Sequence, residues 1–373
     1  KFSMEKHYIS EIVVNGFRNY FNKKIEFKSD FNIIVGPNGI GKTNILEALS
    51  LFSNSRGLRN ASIDELVNIN NKIEKKNIIP NEKQILFSLF IKFFDYTKNE
   101  ILILQREDKK LIKYNNEILK SANLLTDLLK ISWLTPQMDN FFIEPSSERR
   151  KFIDKTAEML FINHCENVKK YEFFLKERMK ILTTQTIRDK WLDIVERKIV
   201  QLGTSIASVR NQVVDYLNEI FENQTKNFPI GNIKINGDVE KLIEEKKSVE
   251  VENFYSKTLF ENRVEDARMK RTNFGIHRSD VKVINKEKNI DASLCSTGEQ
   301  KMLLISLIIV KALFSKKIDK GIPILLLDEI CSHIDKNTRQ KLFDELLKMN
   351  IQIFLTGINE NDFIGLNDNF IRL

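Results

Sequence analysis

Residues 31–50 have the sequence FNIIVGPNGIGKTNILEALS, which contains a strand, a glycine-rich loop and a helix in that order. The apolar run at 31–35 predicts a buried strand, and the periodic apolar residues after the loop predict a helix. The loop between them fits the phosphate-binding pattern G-x-x-x-x-G-K-[ST], in the strand-loop-helix context that this pattern requires. The loop residues are Gly36, Pro37, Asn38, Gly39, Ile40, Gly41, Lys42 and Thr43. The helix should bury Ile45, Leu46, Ala48 and Leu49.

The residue types in this loop suit the binding of a nucleoside triphosphate. Glycines allow backbone N–H groups to close around the phosphates, and the amino end of the helix adds partial positive charge. The Lys42 ammonium can reach the β- and γ-phosphates, and the Thr43 hydroxyl can bind Mg²⁺. We therefore predict that ATP and Mg²⁺ bind at this loop.

A strand near the end of the chain delivers two carboxylates. The apolar run at 322–327 predicts a buried strand, and Asp328 and Glu329 follow it directly. Together with an upstream phosphate-binding loop, this is the pattern of a Walker B element. Asp328 is expected to hold the Mg²⁺ that Thr43 also binds, and Glu329 to orient and deprotonate the attacking water. The sequence thus predicts ATP hydrolysis.

Residues 296–300, with the sequence STGEQ, precede a long apolar helix and allow two interpretations. A serine at a helix start, with a glycine that permits close backbone approach, makes a second anion site. This pattern is similar to the signature of ABC-type ATPases, which completes the γ-phosphate pocket of a partner subunit. The other interpretation is a plain capping box between Ser296 and Glu299. The signature residues are Ser296, Gly298, Glu299 and Gln300.

Length and composition limit the class of protein. The 373 residues suffice for two or three lobes, with 42% hydrophobic and 29% charged residues, as in globular proteins. No apolar run of membrane-spanning length and no signal peptide is present, which predicts a cytoplasmic protein without a membrane partner. Met4 is the expected natural first residue. The three cysteines are far apart in the sequence, which indicates neither a disulfide framework nor a metal site. The net charge of +8 is compatible with a nucleic-acid partner.

The order of patterns predicts an α/β fold, a P-loop ABC-type ATPase head with an inserted, mainly helical second lobe. The head is expected to comprise residues 1–134 and 275–373, and the inserted lobe residues 135–274. Apolar segments between 85 and 114 predict an antiparallel meander, and Ser121 is expected to begin a helix that reaches Lys130. From Leu192 to Ile220, apolar residues recur in alternating steps of three and four, which predicts one long helix packed within the lobe.

Nine segments in this order resemble the RecF family of recombination-mediator ATPases, which is related to the SMC and double-strand-break-repair ATPases. The resemblance spans nearly the whole chain, and the segments are specific in combination. They are FRNY (17–20), GPNGIGKT (36–43), RGLR (56–59), WLTPQMD (133–139), ERRKFID (148–154), GIHRSD (275–280), STGEQ (296–300), LLLDE (325–329) and SHID (332–335).

This resemblance implies a weak ATPase that forms a homodimer on binding ATP and binds DNA at gaps or single-strand/duplex junctions. With RecO and RecR it would help to load RecA in recombinational repair and to maintain replication forks. By the same resemblance, Gln137 would sense Mg²⁺ and the attacking water, Asp335 would contact the dimer partner, and Arg18 and Asn19 would lie near the nucleotide. The ABC pattern often places a histidine after the last strand, but the sequence Thr-Gly-Ile-Asn at 356–359 supplies none.

Two alternatives share the nucleotide motifs. A transporter-type ABC ATPase subunit would have a compact helical subdomain. The 159 positions between Gln137 and Ser296 are too many for such a subdomain. A DNA clamp that uses ATP only as a switch would have no use for a general base such as Glu329. The sequence does not decide which residues contact DNA. Its clustered basic side chains are either DNA contacts or ordinary solvated surface. The candidates are Arg56, Arg59, Arg149, Arg150 and Lys151.

Overall fold

The computed structural model describes residues 7–68, 85–184, 189–224, 227–332, 334–366 and 369–373, so the expectation for Met4 lies outside the described residues. The chain groups into two compact units. The first unit comprises Lys1–Asp139 and Lys311–Leu373, and the second comprises Asn140–Val310. Residues 275–310, which the sequence placed with the ATPase head, group with the second unit because a strand within them pairs with a strand of that unit.

The described residues form a mixture of strands and helices, as expected for an α/β fold. The strands are β1 (Tyr8–Phe17), β2 (Tyr20–Glu26), β3 (Phe31–Val35), β4 (Ile85–Asp95), β5 (Thr97–Arg106), β6 (Lys110–Tyr114), β7 (Glu117–Ile118), β8 (Leu129–Leu134), β9 (Gly231–Asn236), β10 (Asp280–Asn285), β11 (Ile290–Asp291), β12 (Ile322–Leu327), β13 (Gln352–Gly357) and β14 (Phe370–Arg372). The α-helices are α1 (Lys42–Ser50), α2 (Ile63–Leu66), α3 (Leu124–Leu128), α4 (Ser146–Glu158), α5 (His164–Thr183), α6 (Asp189–Gln224), α7 (Asp238–Glu245), α8 (Ser248–Glu261), α9 (Arg263–Met269), α10 (Thr297–Lys316) and α11 (Lys336–Met349).

The first unit contains a five-stranded sheet in the order β14-β3-β13-β12-β8, in which every recorded pairing is parallel. Strands β3 and β13 are buried at every position, as expected for a parallel sheet covered on both faces. Because all five strands point the same way, their carboxyl ends meet at one edge. This sheet therefore gathers segments that are more than 300 residues apart in the sequence.

A six-stranded antiparallel sheet in the order β2-β1-β4-β5-β6-β7 lies in the same unit. It confirms the predicted meander, which comprises β4, β5 and β6. Its apolar side chains share one core with the first helix and with residues of the parallel sheet. The four residues predicted to face inward on α1, from Ile45 to Leu49, are fully buried in this core.

One predicted helix in this unit is wrong. The helix expected from Ser121 to Lys130 is the single turn α3, and the chain continues as strand β8. The apolar residues at 129, 131 and 133 alternate with polar ones as in a strand, so the predicted helix was extended too far, through Leu129 and Lys130, where the strand already begins.

The second unit is built around the 36-residue helix α6, which confirms the predicted long helix. Helices α5, α7 and α8 pack on it around a core that includes Val195, Ile199 and Ile206. A small antiparallel sheet in the order β11-β10-β9 completes the unit. Among the described residues, no helix is long and apolar enough to cross a membrane.

Candidate nucleotide-binding site

The carboxyl edge of the parallel sheet brings the predicted phosphate-binding and metal-binding residues together. The phosphate-binding loop follows β3, Asp328 follows β12, and Gly357 ends β13. The backbone joins them further, since Gly36 N donates to Gly357 O over 3.4 Å and Asp328 N donates to Leu134 O over 2.9 Å. Ligands of open α/β sheets bind at this edge of the strands.

Glycine is needed at the point where the loop enters helix α1. Gly41 has a φ of 116°, and a Cβ there would lie 2.5 Å from Tyr20 Oη and 2.6 Å from Asn19 Nδ2. Gly41 is also the N-cap of α1 and supplies no side-chain cap. The first N–H groups of the helix are thus left for a ligand, which is the arrangement of an anion site.

The Lys42 side chain folds back onto the loop. Its Nζ donates to the carbonyl oxygens of Gly36 over 2.7 Å and Pro37 over 3.0 Å, and the residue is almost fully buried. A charged phosphate is a stronger acceptor for an ammonium group than a neutral carbonyl. A bound phosphate would therefore take over this cation from the loop.

Thr43 and Asp328 meet directly although they are 285 positions apart in the chain. The Thr43 hydroxyl donates to Asp328 Oδ1 over 2.9 Å, and Asp328 is buried. Hydroxyl and carboxylate oxygens are the ligands that Mg²⁺ takes in phosphate-binding sites, so this pair fits the ion. Among the described residues, no group of three or more His, Cys, Asp or Glu side chains could hold a metal alone. The ion would need nucleotide phosphates for further ligands.

Glu329 begins the turn after β12 with a φ of 50°, in the left-handed region that is uncommon for a glutamate. Its backbone N–H donates to Thr356 Oγ1 over 2.8 Å, and its carbonyl oxygen accepts from Ser332 N over 3.0 Å. The same Thr356 hydroxyl donates to Asp328 Oδ1 over 2.8 Å. Sequence reasoning noted this strand end only for its lack of a histidine, and it gave Thr356 no role.

Gln137 lies in a short 3₁₀ turn, Pro136–Asn140, and its side chain is exposed. The turn follows β8, which pairs with β12 up to Leu134 and Leu327. The structure therefore brings Gln137 to the same sheet edge as Asp328.

Arg18 and Asn19 lie beside the phosphate-binding loop and the first turns of α1. Asn19 Nδ2 donates to Ile40 O over 2.8 Å, and Asn19 Oδ1 accepts from Asn44 Nδ2 over 2.8 Å. The Arg18 guanidinium donates to both carboxylate oxygens of Glu47, over 2.6 and 2.7 Å. Sequence reasoning missed Glu47, a fully buried carboxylate on the apolar side of α1. Its position among four inward-facing apolar residues was the available signal.

Comparison with known proteins assigns the family. The model of the RecF/RecN/SMC N-terminal domain matches residues 8–373. The DNA replication and repair protein RecF of Rickettsia africae (strain ESF-5) is 35% identical over 359 residues, which are 95% of this chain and 96% of that protein. The chain belongs to the RecF family of DNA replication and repair proteins.

Solved structures agree with this family at the level of the fold. The structure of the recombination mediator protein RecF-ATP in the RecFOR pathway has a TM-score of 0.82 and 23% identity, with 98% of this chain and 95% of that chain covered. An Smc head domain from Pyrococcus furiosus, bound to the C-terminal domain of ScpA, has a TM-score of 0.52 and 17% identity, with 96% and 91% covered. This RecF-family chain therefore has the fold of an ABC-type ATPase head, as predicted.

In this RecF-family chain the signature segment lies in the second unit at the start of α10. Ser296 N donates to Glu299 Oε2 over 3.0 Å and Glu299 N donates to Ser296 Oγ over 3.4 Å, so the capping box is present. Gln300 Nε2 donates to Cys295 O over 2.9 Å. Ser296 and Gly298 are exposed, and a Cβ built on Gly298 meets no atom within 4 Å. The capping box thus explains the start of helix α10, and the surface of Gly298 remains open to a ligand.

Asp335 caps helix α11. Its side chain accepts from Asn337 N over 2.9 Å and from Thr338 N over 3.1 Å. These hydrogen bonds and that of the Thr338 hydroxyl lower the pKa of Asp335. The residue is exposed and remains accessible to a second molecule.

The five candidate DNA-binding side chains fall into two groups. Arg149 pairs with Asp280 over 2.7 Å and donates to two backbone carbonyl oxygens, and Arg150 donates to the carbonyl oxygen of Ser279. Both arginines are half-buried and tie α4 to the segment before β10, so they serve the second unit's own structure. The exposed group comprises Arg56, Arg59 and Lys151. Within it, Arg59 contacts Asn44 and Lys151 pairs with Glu148.

Proposed function

We propose that this RecF-family protein is a slow ATPase whose nucleotide site lies at the carboxyl edge of the parallel sheet. The contact of 2.9 Å between Thr43 Oγ1 and Asp328 Oδ1 carries the proposal. It joins the residue that ends the phosphate-binding loop to the carboxylate that ends the apolar strand β12. Because 285 positions separate the two, the contact depends on the fold and not on proximity in the chain.

Some residues at this edge would bind ATP and Mg²⁺, and another would take part in hydrolysis. Lys42 and the N–H groups at the start of α1 would bind the β- and γ-phosphates. Thr43 and Asp328, with Gln137 close by, would hold Mg²⁺, which when bound would neutralise charge on the phosphates. Glu329 would accept the proton of a water whose oxygen forms a bond to the γ-phosphorus, while the bond from that phosphorus to the β,γ-bridging oxygen breaks.

DNA and protein partners follow from the family. The Rickettsia relatives are DNA replication and repair proteins, and the solved RecF structure is of a recombination mediator in the RecFOR pathway. We extend these properties to this chain, with gapped DNA as the substrate and RecO and RecR as partners. The net charge of +8 and the exposed basic side chains of Arg56, Arg59 and Lys151 support an anionic partner. ATP-dependent homodimerisation would couple the nucleotide to DNA binding.

The test compares Glu329→Gln with Glu107→Gln, a matched change in an exposed glutamate of the first unit. The amide keeps the shape of Glu329 and removes its basicity, so ATP should still bind while hydrolysis falls on the order of 10²-fold or more. Calorimetry measures binding and phosphate release measures hydrolysis. Glu107→Gln should match the wild type in both.

Hydrolysis by Glu329→Gln within about twofold of the wild type would exclude the general-base role. If the wild type itself binds ATP without hydrolysing it, the alternative of a DNA clamp that uses ATP as a switch would replace the ATPase proposal.

A further inference from the structure

One hydroxyl group at the end of β13 connects the two Walker B carboxylate residues. Thr356 Oγ1 donates its hydrogen to Asp328 Oδ1 over 2.8 Å and accepts the backbone N–H of Glu329 over 2.8 Å. Since a hydroxyl has one hydrogen and two lone pairs, it can make both bonds at the same time. One side chain thus contacts the metal-binding carboxylate and the backbone of the base.

The position of this hydroxyl is fixed by the sheet. Strand β13 lies between β3 and β12, and Thr356 stands opposite Ile34 in the register. Its side chain is fully buried, so water has no access to replace the bonds that it makes. The oxygen is therefore held by the buried central strand of the parallel sheet.

Both partners of Thr356 need such a fixed contact. The Glu329 backbone is in the left-handed region, which L-residues other than Asn and Asp rarely occupy, and the bond to its N–H stabilises that conformation. Asp328 Oδ1 accepts two hydroxyl hydrogens, one from Thr43 and one from Thr356. If Mg²⁺ takes Thr43 as a ligand, Thr356 still holds the carboxylate.

We propose that Thr356 is a positioning residue, whose hydroxyl aligns Asp328 for Mg²⁺ and sets the backbone from which Glu329 reaches the attacking water. This inference rests on the proposed ATPase site and adds to it a group that acts through Asp328 and Glu329. Hydrogen-bond partners of metal ligands commonly change metal affinity or activity 10–100-fold when they are removed. Thr356 thus acts at the strand end where the sequence provides no histidine.

The experiment uses two pairs of proteins, in which the hydroxyl is replaced by a methyl group or by a hydrogen. Wild type is compared with Thr356→Val, and Thr356→Ser is compared with Thr356→Ala, so the second pair applies even if the valine variant does not fold. The probe is a fluorescent, non-hydrolysable ATP analogue titrated with Mg²⁺. The Mg²⁺ affinity of the protein–analogue complex should fall roughly 10-fold or more in each pair when the hydroxyl is lost. Analogue binding without Mg²⁺ should change little, because the phosphate-binding loop is intact.

Equal Mg²⁺ affinity within both pairs would overturn the proposal. If the serine and alanine variants are equally weak while the valine variant keeps wild-type affinity, the methyl group and not the hydroxyl is responsible. A loss of Mg²⁺ affinity on removal of the hydroxyl would support the proposal even if the wild type proved unable to hydrolyse ATP. The binding measurement thus separates this inference from the proposed ATPase activity.

Discussion

At the scale of single residues, Tyr255, Tyr171 and His277 form a chain of hydrogen bonds within the second unit. The two tyrosine hydroxyls are 2.8 Å apart, Tyr171 Oη is 3.0 Å from His277 Nδ1, and His277 Nε2 is 2.9 Å from Thr272 O. Because a carbonyl oxygen only accepts, Nε2 carries the hydrogen and a neutral Nδ1 accepts from Tyr171. Burial lowers the pKa of His277, and the hydrogen bond to Thr272 opposes this effect less strongly.

The chain of hydrogen bonds predicts a dependence of stability on pH. Below the ordinary histidine pKa of 6.5, the unfolded chain takes up a proton at His277 that the folded protein resists. The free energy of unfolding should therefore fall as pH decreases through 6.5 towards the lower pKa of His277 in the folded protein. Glutamine at 277 can make the same donor and acceptor bonds without titrating. Denaturant unfolding should show that the advantage of the wild type over His277→Gln shrinks as the pH falls, and parallel pH profiles would contradict this.

The residues of the candidate site were predictable to different degrees. Thr43 and Asp328 each belong to a motif with fixed spacing, so the sequence indicated both before the structure showed their contact. Glu47 and Thr356 belong to no such motif. The position of Thr356 depends on which strand lies beside which, and sequence spacing carries no such information, whereas the signal for Glu47 was its place among apolar residues of α1.

At the scale of elements, helix α6 combines an apolar face with two buried ionic networks around it. Arg210, on the helix itself, donates to both oxygens of Asp154 over 2.8 and 2.9 Å. Arg178, on the neighbouring helix α5, is fully buried and donates to Glu196 over 2.9 Å and to Asp266 over 2.7 Å. Both networks fix helices whose apolar contacts alone would tolerate sliding.

The network around Arg178 predicts a large loss of stability when its cation is removed. Arg178→Met retains helix propensity and much of the side-chain volume but leaves Asp266 buried without this partner. Breaking a buried ion pair in this way should cost about 3–5 kcal/mol. The matched control is Arg197→Met, an exposed arginine of α6, which should change stability by less than about 0.5 kcal/mol. Equal denaturation midpoints for the two variants would show that the Arg178 network contributes nothing net.

Elements with strong periodicity or a motif beside them were predicted, as α6, β3 and β12 show, but β8 was not. The steps of three and four from Leu192 to Ile220 gave α6 correctly, although one of those positions, Tyr216, is half exposed. Strand β8 was mistaken in part for the end of a helix because the predicted helix was extended through Leu129 and Lys130, where the alternation of the strand already begins. The burial of Arg210 was not predicted either, since a charged residue is expected to point into solvent.

At the scale of the whole molecule, the residues predicted to enclose ATP are divided between the two units. Lys42 belongs to the first unit, and the exposed Ser296 belongs to the second. If two copies enclose ATP between Lys42 of one and Ser296 of the other, neither copy alone is complete. The capping box at Ser296 is compatible with this arrangement and does not require it.

Mixing two defective variants tests this shared site. Lys42→Ala loses the cation for the phosphates, and Ser296→Arg should block the partner's site while its own loop still binds ATP. Each variant alone should be inactive, but a heterodimer contains one intact site and one doubly broken site. Random pairing gives about half heterodimers, so independent sites would restore roughly a quarter of wild-type ATPase activity. No recovery, with heterodimers shown to form, would mean that both sites must be intact or that Ser296 is only a cap.

The position of strand β3 in the sheet has a consequence for how the chain is made. Its two neighbours are β13 and β14, so residues 31–35 can pair only after residues beyond 350 have been synthesised. At roughly 5–20 residues per second, a ribosome needs tens of seconds to cover that interval. The second unit, which comprises Asn140–Val310, is synthesised in full before then. Strand β3 has no neighbouring strand of its sheet until that point, so the parallel sheet can be completed only at the end of synthesis.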